Sequence, residues 1–419
     1  MNPLSIAAPP LTATASLSEL TRLARQRLTP SRMRTAQSAA MTARTIAFWG
    51  SAGLLLYTHA GYPLLLAALT RMRNQGPARP QPEPAPLELP TVSVIVAAYA
   101  EQEVIADRVA NLRALAYPRD RLELIIACDG SPDATAQRAR EAGADLVLEL
   151  ARGGKIRAQD AGVERARGEI VAFSDANVSW EPDALRRLVA PFADPRVGYV
   201  CGDVRFRGTQ GTNQEGLYWR YEMAVRRLES GVRSVTGGNG AIYATRHAAY
   251  LVVDPIMGHD LSFPFKLVKR GWLAVYAPEA RASEKMVPSI EGEFARKRRM
   301  MSHGWPIVLR GGLLSPRGYG PLYTMMIFSH RVLRYLSPSL HVVALATSVA
   351  LLGHGWVYGA AVVVQAALVL GALLAPFVPA RPLLVARYYV LTTASLAAGL
   401  WDWLRHGTQA GWEPAEGTR

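Results

Sequence analysis

Apolar residues along this chain follow two patterns that do not mix. From Thr45 to Thr70 no Asp, Glu, Lys or Arg interrupts the run TIAFWGSAGLLLYTHAGYPLLLAALT, which Arg44 and Arg71 close. A second charge-free block extends from Leu340 to Ala380, broken by Gly353, His354 and Gly355, and a third apolar run, Tyr388 to Trp401, follows Arg381 and Arg387. About 20 apolar residues suffice to cross a hydrocarbon core. The pattern therefore predicts one membrane helix over 45–70 and three more over 338–404, near 338–353, 356–377 and 384–404. A hairpin of buried core helices is the bland alternative, against which the length of the charge-free runs argues. Between these blocks the pattern becomes one of short β-branched runs: SVIVAAY (93–99), LELIIAC (122–128), DLVLEL (145–150) and EIVAFSD (169–175). Helical periodicity separates them, and the alternation predicts an α/β domain with a mostly parallel sheet over 91–310.

The flanks of that domain differ from it in composition. A Pro-rich linker over 71–90 leads in, its spacing favouring extended geometry. The exit, 311–337, alternates Tyr319, Tyr323, Phe328 and Tyr335 with Arg317, His330, Arg331 and Arg334, a mixture suited to an amphipathic helix in the headgroup layer. Residues 1–44 read as a basic, disordered tail and 405–419 as a second tail.

Composition supports the division. Of 419 residues half are apolar and 19% charged, with 47 Lys plus Arg against 33 Asp plus Glu, a net charge of +14. A mean hydropathy of +0.07 averages two populations, lipid-embedded and soluble. The two cysteines, Cys128 and Cys201, exclude a multi-disulfide framework. Basicity alone would allow nucleic-acid binding, but Arg beside membrane spans accounts for it and no recognition module appears. Arg381, Arg387 and the Arg-rich domain flanks put the domain on the cytoplasmic side by the positive-inside rule. Arg22, Arg25, Arg27, Arg32, Arg34 and Arg44 oppose that orientation, and a start at Met33 or Met41 would remove most of the conflict.

In open parallel sheets ligands bind beyond the strand C-termini. Tyr99-Ala100-Glu101 follows the first strand, Asp129-Gly130-Ser131 the second and Ser174-Asp175-Ala176-Asn177 the fourth. Carboxylates there can accept hydrogen bonds from a ribose or base, or hold a hard divalent cation. Asp-Gly-Ser alone is also an ordinary turn; the ordered set carries more weight. Asp260 could be a base or the partner of Lys266 or Lys269. The run Arg296-Lys297-Arg298-Arg299 could hold a diphosphate or lie against anionic lipid.

Seven segments in this order resemble the family 2 glycosyltransferases: SVIVAAYAE (93–101), LIIACDGSPDAT (124–135), Gly154-Lys155, IVAFSDAN (170–177), GGNGAIYATR (237–246), GHDLSFPFKLVKRGW (258–272) and EFARKRRM (293–300). The flanking spans resemble the polysaccharide-synthase-like branch of that family. The resemblance implies a GT-A fold, inverting transfer from a nucleotide-diphospho-sugar, UDP-linked by preference, and a membrane-bound enzyme of exopolysaccharide or cell-envelope glycan synthesis in the inner membrane. It assigns Tyr99, Glu101, Asp129, Lys155, Asp175, Arg298 and Arg299 to the nucleotide-sugar, and Asp175 with Asn177 to Mg²⁺ or Mn²⁺. Asp260 becomes the base that deprotonates a glycan or lipid-linked acceptor. Gly238, Asn239, Gly240, His259 and Trp305 fall on the acceptor side.

Three departures stand out. Asn177 replaces a metal-binding Asp, Ala97 and Ala100 stand where Pro and Asn are common, and the basic run lacks the Gln and Trp of the Gln-x-x-Arg-Trp motif of processive relatives. The same departures favour the alternative, a catalytically silent nucleotide-binding scaffold in a polysaccharide export complex. A homo-oligomer or an export subunit would be a further partner, since three C-terminal spans are few for a translocation channel.

Overall fold

The computed structural model describes residues 30–72, 89–207, 214–285 and 290–408. The proposed tail before residue 30, most of the linker and the end of the C-terminal tail lie outside them. Helix α1 (Pro30–Leu56) passes through a π-helical turn (Tyr57–Gly61) into α2 (Tyr62–Met72). The helix thus starts well ahead of the apolar run, and residues 30–44, read from the sequence as disordered, are helical. Nothing in Met33 to Arg44 breaks a helix: the stretch is rich in Ala and carries neither Gly nor Pro.

The domain that follows is built on one eight-stranded sheet in the order β3-β2-β1-β4-β7-β6-β8-β5. In chain order its elements are β1 (Val92–Ala98), α3 (Ile105–Arg113), β2 (Leu122–Asp129), α4 (Thr135–Glu141), β3 (Leu146–Leu150), α5 (Lys155–Arg165), β4 (Ile170–Asp175), β5 (Ser179–Trp180) and α6 (Ala184–Val189). Then come β6 (Val197–Arg207), α7 (Gln214–Val232), β7 (Tyr243–Arg246), α8 (His259–Lys269), β8 (Leu273–Lys285) and α9 (Ile290–Leu309). Strands β1 to β4 are parallel, as their near-continuous apolar composition requires of strands covered on both faces. β1 is buried along its whole length, with Ile95 facing one core and Val94 and Val96 the other. The register Ala98↔Cys128 and Ala97↔Asp175 brings the ends of β1, β2 and β4 to one edge. Antiparallel β7 turns the sheet between β4 and β6.

Beyond the domain, α10 (Pro321–Met326), a second π-helical turn (Ile327–Val332) and α11 (Leu333–Ala350) form one continuous run, followed by α12 (Trp356–Leu374) and α13 (Arg381–His406). Among the described residues four helical stretches are long and apolar enough to cross a membrane: 34–72, 321–350, 356–374 and 381–406. The headgroup helix expected over 311–337 overlaps the start of the second of these. Its polar residues turn to the domain instead. Tyr323 donates to the Val235 carbonyl at 2.9 Å, Arg331 to Thr236 Oγ1 at 2.9 Å, and His330 Nδ1 lies 2.8 Å from buried Glu229. Buried polar groups need partners, and these interlock the helix with α7.

Candidate active site

A cavity of about 500 Å³ opens at the C-terminal edge of the sheet and continues towards the apolar helices. Glu101, Lys155, Asp175, Asn177, Gly238, Asn239, Gly240, His259, Asp260 and Arg299 line it. Residues far apart in sequence are therefore brought together, and most of the residues singled out above are among them.

Lys155 opens α5 and its ammonium is ion-paired with Asp175 at the end of β4. Burial opposes the charge on Lys155, but Asp175, Asp260 and Glu284 outweigh it and hold its pKa above the ordinary lysine value. Asp175 is the one of the three in contact with it; Asp260 and Glu284 act through their charge. Glu284, near the end of β8, has its carboxyl raised by burial and then by the charge of Asp175. Asn177 Nδ2 lies 3.5 Å from Glu284 Oε1. Behind Asp175, fully buried Arg108 donates to Ser174 Oγ at 2.8 Å, and burial pulls its pKa down to about 9 while Asp175 pulls the other way.

Asp260 sits in the first turn of α8, and its carbonyl accepts a 2.6 Å hydrogen bond from the Gly238 N–H. That bond ties the Gly-Gly-Asn-Gly turn to the start of the helix. A Cβ on Gly258 would lie 2.6 Å from Asp260 Oδ1, so the residue before the helix must be small for this carboxylate to keep its orientation. The alternative partner Lys269 is engaged elsewhere, donating to the Gly312 carbonyl at 2.6 Å.

Several predicted roles need correction. Asp129 is 1% exposed and does not line the cavity; it accepts from Gly153 N at 2.6 Å, Gly154 N at 3.0 Å and Arg152 Nη1 at 2.8 Å. Its bonds fix the loop that delivers Lys155. Tyr99 likewise packs under Arg152, whose guanidinium lies 3.3 Å from the ring centroid. Arg298 points away from the cavity to Asp402, at 2.6 and 2.7 Å. Trp305 is buried, edge-on to Tyr335 and bonded to the Leu396 carbonyl at 2.8 Å. His259 stacks on Phe263 at 3.9 Å and meets Tyr243 Oη at 2.8 Å; burial, then Lys155, pulls it down to about 3, so it is a neutral packing residue. Asn239 spends its amide on Gly202, Ala241 and Ile242 and shapes the turn.

Sequence reasoning missed Glu284 and, in the far half of the cavity, picked out the basic run but not the carboxylates it pairs with. There Glu293 pairs with Arg296 at 2.7 Å and Lys297 at 3.3 Å, and Glu222 pairs with Arg334. Glu284 had a usable signal, since it lies near the end of a strand, and Glu293, Arg296 and Lys297 share the segment EFARKRRM; Glu222 and Arg334 come from separate helices with no shared motif.

Residues 93–273 match the family described as Glycosyl transferase family 2. They form a family 2 glycosyltransferase domain. Its helices and sheet also superimpose on the mannosyltransferase PcManGT of Pyrobaculum calidifontis, solved in complex with GDP-Man and Mn²⁺, with a TM-score of 0.64. At 24% identity, over 85% of this chain and 98% of that one, the likeness is one of fold, and that fold is GT-A. Poly-beta-1,6-N-acetyl-D-glucosamine synthase of Staphylococcus aureus (strain COL) is 26% identical over 253 residues, 57% of this chain and 61% of the relative. The chain thus spans less than two thirds of that relative's length. Glycosyltransferase AglE of Haloferax volcanii is 30% identical over 128 residues, 29% of this chain and 42% of AglE.

Proposed function

We propose that the chain is a membrane-bound, inverting glycosyltransferase that moves a sugar from a nucleotide-diphospho-sugar, UDP-linked by preference, to a glycan or lipid-linked acceptor. Its setting is exopolysaccharide or cell-envelope glycan synthesis, with the domain on the cytoplasmic face of the inner membrane. The observation that carries this reading is the single cavity lined by Asp260, Asp175 and Lys155, which continues to the apolar helices. Direct displacement needs one base at the acceptor oxygen and positive charge at the departing diphosphate. Asp260 takes the acceptor proton as the new C–O bond forms. Lys155 and Arg299 meet the charge that builds as the bond to the diphosphate breaks. Glu101 and the β1 edge hold the nucleoside, with the Glu101 N–H fixed on Thr135 Oγ1 at 2.8 Å.

The proposed cation rests on the chemistry of three side chains; among the described residues no three His, Cys, Asp or Glu side chains cluster as a metal site. Asp175, Asn177 and Glu284 supply two carboxylates and an amide oxygen, a hard oxygen set, and Glu284 is raised partly because Asp175 repels its charge. Mg²⁺ or Mn²⁺ held there would neutralise diphosphate oxygens. Lys155, now on Asp175, would move to the phosphates.

Purified protein in detergent, given Mg²⁺ or Mn²⁺ and a panel of UDP- and GDP-sugars, tests the reading. Nucleotide release should appear with wild type and fall to background with Asp260→Asn. Equal background in both would leave a nucleotide-binding scaffold as the function.

A further inference from the structure

Length and apolar composition mark α13 as a helix able to cross a membrane, but its neighbours argue otherwise. It lies alongside α9 over nearly its whole length. Arg387 pairs with Glu291 at 2.5 Å near the start of both helices. Further on, Lys297 Nζ lies 5.0 Å from the Tyr388 ring centre, the Leu396 carbonyl accepts from Trp305, and Arg298 holds Asp402. At the far end Arg310 stands 5.0 Å over Trp403, and Thr408 donates to the Ser302 carbonyl at 2.7 Å. The helices touch backbone to backbone at Gly399, where a Cβ would lie 2.9 Å from both the Arg298 carbonyl oxygen and the Ser302 nitrogen.

Both ends of α9 belong to the glycosyltransferase domain. It starts soon after β8, and the turn beyond it is fastened by Lys269 of α8 to the Gly312 carbonyl. At 1.5 Å per residue, Arg387 to Thr408 covers about 30 Å. A crossing helix would carry one of these ends a bilayer's thickness away from the domain. For α13 to cross while keeping its contacts, α9 would have to enter the hydrocarbon with Glu291, Glu293, Arg296, Lys297, Arg298 and Arg299, and charges at that depth are strongly disfavoured.

We infer that α13 does not cross the bilayer but lies in its surface, parallel to α9, with its outer face on lipid. That outer face is Ala394, Ala397, Trp401 and Leu404, all exposed and none charged, with Trp401 59% and Leu404 67% accessible. Its inner face, Tyr388, Ser395, Leu396, Gly399 and Trp403, is buried. An aromatic and aliphatic face with Arg381, Arg387 and Arg405 at its ends matches an interfacial helix on a bilayer containing anionic lipid. His406 therefore emerges on the same side as the domain, opposite the turn at His354 between α11 and α12.

Single-cysteine topology mapping decides this in the full chain, since the native Cys128 and Cys201 are buried. Sealed vesicles of each orientation are treated with a membrane-impermeant maleimide, using Asp120→Cys to mark the domain side and His354→Cys the opposite side. The expected result is that His406→Cys labels from the same side as Asp120→Cys. Labelling from the His354→Cys side would overturn the inference. Arg405→Cys, also exposed, repeats the measurement should the first variant express poorly. The readout is independent of sugar transfer, so its failure would leave the catalytic reading standing.

Discussion

The two halves of the cavity are made in different ways. The half at the sheet edge is assembled from residues at strand ends and helix starts, Glu101, Lys155, Asp175, Asn177, Asp260 and Glu284, so each side chain has a short, local cause. The half towards the apolar helices is assembled from α7, α9, α11 and α13, whose contributing residues are separated by up to most of the chain. Charge is handled differently too. On the sheet side Lys155 is paired with Asp175 and feels the charge of Asp260 and Glu284; on the helix side cations outnumber carboxylates, with Arg226, Arg296, Lys297, Arg299, Arg331 and Arg334 beside Glu222 and Glu293. On the proposed function the strand edge would take a cation and a sugar diphosphate, while the packed helices form a cation-rich vestibule whose make-up no single segment reveals.

The sharpest way to break this comparison is at the border between the halves. Asp260→Asn should lower transfer by roughly 10²- to 10⁴-fold, the range for loss of a general base, while donor binding measured by calorimetry stays within about twofold. If donor binding is lost instead, Asp260 belongs to the donor half. Next in size is Asp129→Ala. Removing a buried carboxylate that holds two backbone N–H groups and Arg152 should cost about 2 to 3 kcal/mol, read by denaturation of the detergent-solubilised protein. Donor affinity should weaken with it, because Lys155 is delivered by that loop.

On the helix side, Glu229 offers a pH test. Burial alone would raise its carboxyl, but His330, Arg331 and the Thr236 N–H outweigh it and hold it well below the ordinary carboxylate range. A depressed native pKa stabilises the fold above the unfolded value and loses that contribution as pH falls. The melting temperature should therefore drop between about pH 5 and 3, and Glu229→Gln should flatten that drop while lowering stability at pH 7. The smallest effect belongs to Arg298→Ala, which breaks an accessible pair with Asp402 worth at most about 1 kcal/mol. Donor affinity should not change. A marked loss would return Arg298 to the diphosphate.

The same division explains what could be read from the chain. The parallel strands, their acidic tips and the GT-A sheet were legible because burial on both faces writes a continuous apolar run, and because Asp175 and Lys155 sit at fixed offsets from strand and helix starts. Asp129 was legible as important but not as a loop anchor, since a buried carboxylate and a ligand-facing one look alike in sequence. Arg298 and Trp305 were misassigned because one residue of helical rotation, about 100°, separates a side chain in the cavity from one packed behind it. The exit segment misled for a related cause: aromatic and basic residues suit a headgroup layer and a protein surface equally well.

The paired π-helical turns give the molecule a dependence on length. Tyr57 of the first turn meets Ser329 of the second at 2.8 Å, where both helices leave the domain. Each such turn holds one residue more than α-helical winding would. Deleting one residue inside a turn would let it close as an ordinary α-turn with the helix beyond it near its present phase, whereas deleting one just outside would swing everything beyond it by about 100°. In the second run that would carry Arg334 away from Glu222 while Tyr323, upstream, still held Val235. One-residue deletions inside these turns should be absorbed far better than deletions beside them, so the junction is set by counting as much as by composition.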